Sequence, residues 1–161
     1  MKKNLLVFFL ILGTFVSFSQ EIKWKTFTEA QKEQETSSKD IFIFAGISKT
    51  HTIDKNFIKA IEADKDLMNF LNENYILAFF TYDTGEEINY KGQVYRNPNL
   101  NRNGKCFKEV CVHDFAYKIL AFEISPSYYV FGKNGKMSEP VLGVNTSDLL
   151  EILKSFKEYE K

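Results

Sequence analysis

Proline, cysteine and histidine are scarce in this chain, at three, two and two in 161 residues. No apolar run reaches the about 20 residues that a confident membrane span needs. Neither sign of charge is in excess: Lys and Arg number 21, and so do Asp and Glu. That balance leaves no electrostatic footprint for nucleic acid or an anionic membrane. There is no phosphate-cradling glycine loop, no nucleotide fingerprint and no paired-carboxylate spacing, so no cofactor is expected. No internal repeat or second domain is evident.

Aromatic residues, by contrast, are abundant, with 16 phenylalanines and eight tyrosines. They supply core enough for one domain to fold without covalent staples. At the N-terminus Lys2 and Lys3 precede an apolar run from Leu5 to Phe18, which ends at small residues around Ser17 and Ser19. This is the pattern of a secretory signal peptide, residues 1–19, cleaved to leave a domain over 20–161. Removing Lys2 and Lys3 leaves 19 basic against 21 acidic side chains, a net charge near −2. The expected location is the periplasm or the extracellular space, with no membrane span after cleavage.

Along the domain, Ile22 to Lys25 alternates as a short edge strand, and Thr28 with Gln31 reads as a capping box opening a short helix. The run Ile41-Phe42-Ile43-Phe44-Ala45 predicts a strand buried on both faces. Apolar residues at helical spacing from Phe57 to Leu71 predict a helix of about 20 residues, and Ile76 to Tyr82 a second buried strand. Strand, helix and strand in that order imply parallel pairing. A small hairpin turning at Lys91-Gly92 follows, then an Asn-rich loop from Arg96 to Lys105, then helix-like spacing from Cys106 to Phe122. Strands at Tyr128–Phe131 and Val141–Val144 flank the turn Asn134-Gly135, and Thr146 or Ser147 caps a last helix.

The segment from Ile124 through Ser125-Pro126-Ser127-Tyr128-Tyr129 to Lys136 resembles the cis-proline hairpin of thioredoxin-like proteins. His113-Asp114-Phe115-Ala116 and the stretch Tyr90 to Asn99 add to that resemblance, which covers about residues 22–157. It implies an α/β fold: a thioredoxin-like central mixed β-sheet flanked by helices, with an inserted small hairpin and loop. In that family a Cys-x-x-Cys pair opens the first helix after the first core strand. Here the corresponding stretch is Ser48 to Ile53, with Thr50 and Ile53 standing near the cysteine positions, so thiol chemistry is excluded at this helix. Thr50 or Thr52 is read instead as a helix cap and His51 as an exposed loop residue. The resemblance further implies that the backbone around Ser125-Pro126 can pair with an extended peptide. Ser125, Pro126, Thr50, His51 and Tyr128 are the candidate binding residues, one of Tyr128 and Tyr129 facing the core and the other the cleft.

The cysteines lie elsewhere. In an oxidising compartment Cys106 and Cys111 are expected to form a local disulfide. Its backbone must be non-helical, because side chains five apart on a helix diverge by roughly 140°. Two alternatives stay open. The pair is redox-active, with His113 favouring the thiolate, or Cys106, Cys111, His113 and Asp114 hold zinc; with no second cluster, no metal is assigned. Trp24 is expected on the first helix, and Glu86 and Glu87 in a solvated turn. The expected function is binding of a peptide or protein partner by a redox-inactive monomer. The alternative is a thiol–disulfide oxidoreductase using Cys106 and Cys111, and no enzymatic activity is assigned.

Overall fold

The computed structural model describes residues 23–47, 51–101, 103–106, 111–120 and 126–159. The segment expected to be a signal peptide, Thr50 and Ser125 lie outside them. The two apolar runs become β1 (Asp40–Gly46) and β2 (Tyr75–Thr81), paired in parallel from Asp40–Tyr75 to Gly46–Thr81. β5 (Ser127–Phe131) runs antiparallel to β1 on its other side, and β6 (Val141–Leu142) closes the order β2-β1-β5-β6. Lys25 adds a parallel bridge outside β2, its N–H donating to Leu77 O at 3.0 Å and its carbonyl accepting from Phe79 N at 2.8 Å. The product is a mixed α/β domain.

Successive strand residues point to opposite faces, so continuous apolar runs feed two cores. Ile41, Ile43, Ala45, Ile76, Ala78, Phe80, Tyr129 and Phe131 pack beneath α1 (Phe27–Gln34), α4 (Asp114–Lys118) and a separate hairpin, β3 (Ile88–Tyr90) and β4 (Gln93–Tyr95). Phe42, Phe44, Leu77, Phe79, Tyr128 and Val130 pack beneath α2 (Thr52–Ala63), α3 (Lys65–Asn74) and α5 (Thr146–Tyr159). Each fully buried ring contributes roughly 1.5–3 kcal/mol, which makes the aromatic-rich sheet the main source of stability.

Several expectations shift. The first helix is capped by Thr26 and Glu29, not Thr28 and Gln31, and Thr28 is a helical residue. The helix expected over about 20 residues is two, because Asp64 takes extended backbone (ψ 100°) and its carboxylate accepts from Leu67 N to restart the helix. Asn145 rather than Thr146 or Ser147 supplies the cap of α5, its Oδ1 accepting from Asp148 N at 2.9 Å. Trp24 packs on the face opposite α1, its ring centroid 6.3 Å from Phe42 and its Nε1 donating to Glu62 on α2. The helix-like spacing after Cys106 produces only the short α4 among the described residues. The hairpin at Lys91-Gly92 is as expected, with φ of 51° and 76°.

Candidate functional site

Parallel pairing brings the C-terminal ends of β1 and β2 to the same end of the sheet, and antiparallel β5 begins there. The chain leaves β1 at Gly46-Ile47 and re-enters a helix at α2, whose N-cap position is His51. Of the two expected caps, Thr52 is instead the first helical residue and Thr50 lies outside the described residues; the His51 side chain makes no capping bond. Asp54, in the first turn of α2, folds back instead. Its side chain is buried, and its Oδ2 accepts from Ile47 N at 2.7 Å. Gly46 makes room for it, since a Cβ there would lie 2.8 Å from the Asp54 carboxylate. A carboxylate at a helix N-terminus is favoured by the dipole, and the N–H bond offsets its desolvation.

His51 sits at the rim with its side chain 37% exposed, its Nδ1 3.8 Å from Asp54 Oδ2. That separation is too long for a hydrogen bond, and among the described residues Nδ1 has no hydrogen-bond partner. Ile47 (46% exposed), next to Gly46, and Ile53 (51% exposed), next to Asp54, face solvent. The described residues contain two other large exposed apolar side chains, Val94 and Tyr117, and both lie on other elements.

Below this rim lies a layer of buried polar groups. Tyr82, just beyond β2, directs its hydroxyl at Ala45 O (3.4 Å) and Ser127 Oγ (3.3 Å). Ala45 pairs with Ser127, so the next position brings Pro126, also buried, beside Gly46. The expectation that one tyrosine of the 128–129 pair faces a cleft does not hold. Both are 2% exposed, Tyr129 in one core and Tyr128 in the other, stacked on Phe42 at 5.8 Å. Burial, and then the charge of Asp54, pushes the Tyr128 phenol upward in pKa, so it stays neutral.

The cysteines form a second centre. Their sulfurs are at bonding distance, 2.12 Å, with the Cα atoms 5.7 Å apart, and neither residue is helical. Cys106 is exposed and Cys111 is half-buried. Asn97 Nδ2 donates to Cys111 Sγ at 3.6 Å and to Thr84 O at 3.2 Å. His113, weighed above as a thiolate partner or zinc ligand, is occupied. Its Nδ1 accepts from Phe115 N at 3.0 Å, so the proton is on Nε2, which donates to Glu86 O at 2.8 Å. Burial holds its pKa below the ordinary histidine value. Asp114 is paired with Lys118 at 2.6 Å. The disulfide and these contacts use the atoms that a zinc site would need.

The turn at Glu86 and Glu87 is tied down rather than simply solvated. Glu86 accepts from Thr28 N and His113, and Glu87 pairs with Arg96 at 2.6 Å, which holds the Glu87 carboxyl below the usual range. An open groove of about 530 Å³ between α1 and β3 is lined mainly by the side chains of polar residues, with Phe131 among them. Two of its lining amides are already paired, Gln31 to Asn89 O and Gln34 to Phe131 O.

Of the residues picked from the sequence, His51 and Pro126 come to one end of the sheet, Tyr128 lies in the core beneath them, and Cys106 and Cys111 form their own centre. Asp54, Gly46 and Tyr82 were not singled out. A lone Asp at a helix start reads as an ordinary dipole-favoured residue, and only tertiary contacts bury it. Fold and site together define a mixed α/β domain with a polar-supported, isoleucine-flanked sheet end. Comparison with protein-family models, curated proteins and solved structures finds no match for this chain. Among the described residues no helix is long and apolar enough to cross a membrane.

Proposed function

We propose that this is an exported thioredoxin-like protein without the family's dithiol, which binds an extended peptide segment of a partner at the sheet end around Pro126. The strand order and directions are compatible with that fold. Where such proteins open the corresponding helix with Cys-x-x-Cys, this chain carries Thr50 and Ile53, neither of which can exchange a disulfide. The observation that carries the binding reading is the pair of solvent-facing isoleucines, Ile47 and Ile53, on a rim fixed from below by Asp54, Tyr82 and Ser127. Exposed apolar side chains on a rigid support offer area to a ligand at little ordering cost. β5 itself is enclosed between β1 and β6, so any backbone pairing with a peptide falls to the residues just before it.

The test is selection from a randomised decapeptide pool displayed on phage, with the purified domain immobilised. Enrichment is expected with the native chain, lost when Ile47 and Ile53 are both changed to Asp, and retained in Tyr117→Asp, an exposed aromatic on α4. No enrichment over bare resin, or equal enrichment with the double variant, would sink the proposal.

A further inference from the structure

We infer that Cys106–Cys111 is a thiol-exchange site with a fixed polarity: an external thiolate attacks Cys106, and Cys111 departs as a thiolate held by Asn97. Three features of the centre carry this. Cys106 is exposed and Cys111 half-buried, so an incoming nucleophile meets the Cys106 sulfur first. The Cys111 sulfur receives the Asn97 Nδ2–H at 3.6 Å. A disulfide sulfur carries no proton, so the amide nitrogen is the donor, and its orientation is set by two other bonds. Nδ2 also donates to Thr84 O, while Asn97 Oδ1 accepts from Asn99 N at 3.0 Å. The donor therefore aims at the sulfur before any charge exists there. An N–H bond to sulfur strengthens as the sulfur becomes anionic, which lowers the pKa of the leaving thiol and speeds its departure.

The co-reactant is a small or protein-borne dithiol. Its first thiolate forms a new S–S bond with Cys106 as the Cys106–Cys111 bond breaks, and the electron pair leaves on Cys111. Its second thiolate then attacks the reagent's own sulfur in the mixed disulfide and expels Cys106 as thiolate. The dithiol ends as a disulfide and the protein pair has gained two electrons; both protein thiolates take up protons from water according to pH. Asn97 is a positioning residue, acting on the leaving sulfur. The centre is separate from the isoleucine rim, so this inference does not depend on the peptide-binding proposal.

The test is stopped-flow reduction of the folded native chain by dithiothreitol, with glutathione used to trap the mixed disulfide for peptide mapping. Glutathione is expected on Cys106. Asn97→Ala is expected to slow the first step roughly fivefold, the equivalent of one net hydrogen bond. A purely structural role for Asn97 gives the opposite sign, because losing its bonds to Thr84 and Asn99 loosens the loop and exposes the disulfide. Asn97→Asp, which puts a negative charge beside the leaving thiolate, is expected to be slower still. An unchanged or faster rate in both variants, glutathione on Cys111, or no reduction at millimolar thiol without denaturant would overturn the assignment.

Discussion

Asp54 is costly to bury, and two features help make the burial tolerable: the Ile47 N–H that its carboxylate accepts from, and the missing side chain at Gly46. Asp54→Ala removes the acceptor of the part-buried Ile47 N–H and empties a buried site, so it should destabilise the domain by about 1–3 kcal/mol in urea unfolding. Gly46→Ala should cost a similar amount, about 1–3 kcal/mol, by forcing a Cβ against the carboxylate. A stable Gly46→Ala variant would mean that the carboxylate is not seated there. His113 carries a pH signature. Its pKa is lowered by burial in the folded chain, so the unfolded chain binds more protons below the ordinary histidine value of about 6.5. Stability should therefore fall as pH drops from about 7.5 to about 5, and fall less steeply in His113→Asn. Asn keeps an acceptor for Phe115 N but does not titrate. Equal slopes in both proteins would contradict the neutral, buried assignment. At this scale the sequence was a poor guide: His51 was visible as a rare residue, whereas nothing about Asp54 or Tyr82 marked them for burial.

At the scale of elements the sequence was more informative where the signal was continuous or glycine-punctuated. β1 and β2 were legible because strands buried on both faces need unbroken apolar runs. The hairpin turn was legible because Lys91 and Gly92 must both take positive φ. Helix ends were not. Thr26 and Asn145 do the capping although Thr28, Thr146 and Ser147 are equally suitable by type, and the choice is made by which backbone donor faces each oxygen. Asp64 split one helical pattern in two for the same reason. Two changes follow at this scale. Gly92→Ala should cost about 1 kcal/mol, since φ of 76° is strained for any Cβ. Thr26→Ala should also cost about 1 kcal/mol through loss of the capping box. Thermal melts read both, and a neutral Gly92→Ala would mean that the turn is not of this type.

At the scale of the molecule, two centres are organised around one sheet. Two exposed isoleucines, Ile47 and Ile53, lie by the fixed polar groups at the C-terminal ends of β1 and β2, and a disulfide with Cys106 exposed lies before α4. The α/β class and the disulfide pairing were readable from strand order and from two lone cysteines. The composition of the rim was not, because it is assembled from residues that separate secondary structures bring together. The central claim is that this rim binds an extended peptide. The most direct measurement is backbone amide NMR of the domain, titrated with a decapeptide enriched in the selection. Shifts concentrated on Gly46, Ile47, the first turn of α2 and Ser127, and absent from α5, are the result this account requires. Shifts clustered on another surface, or none at millimolar peptide, would contradict it.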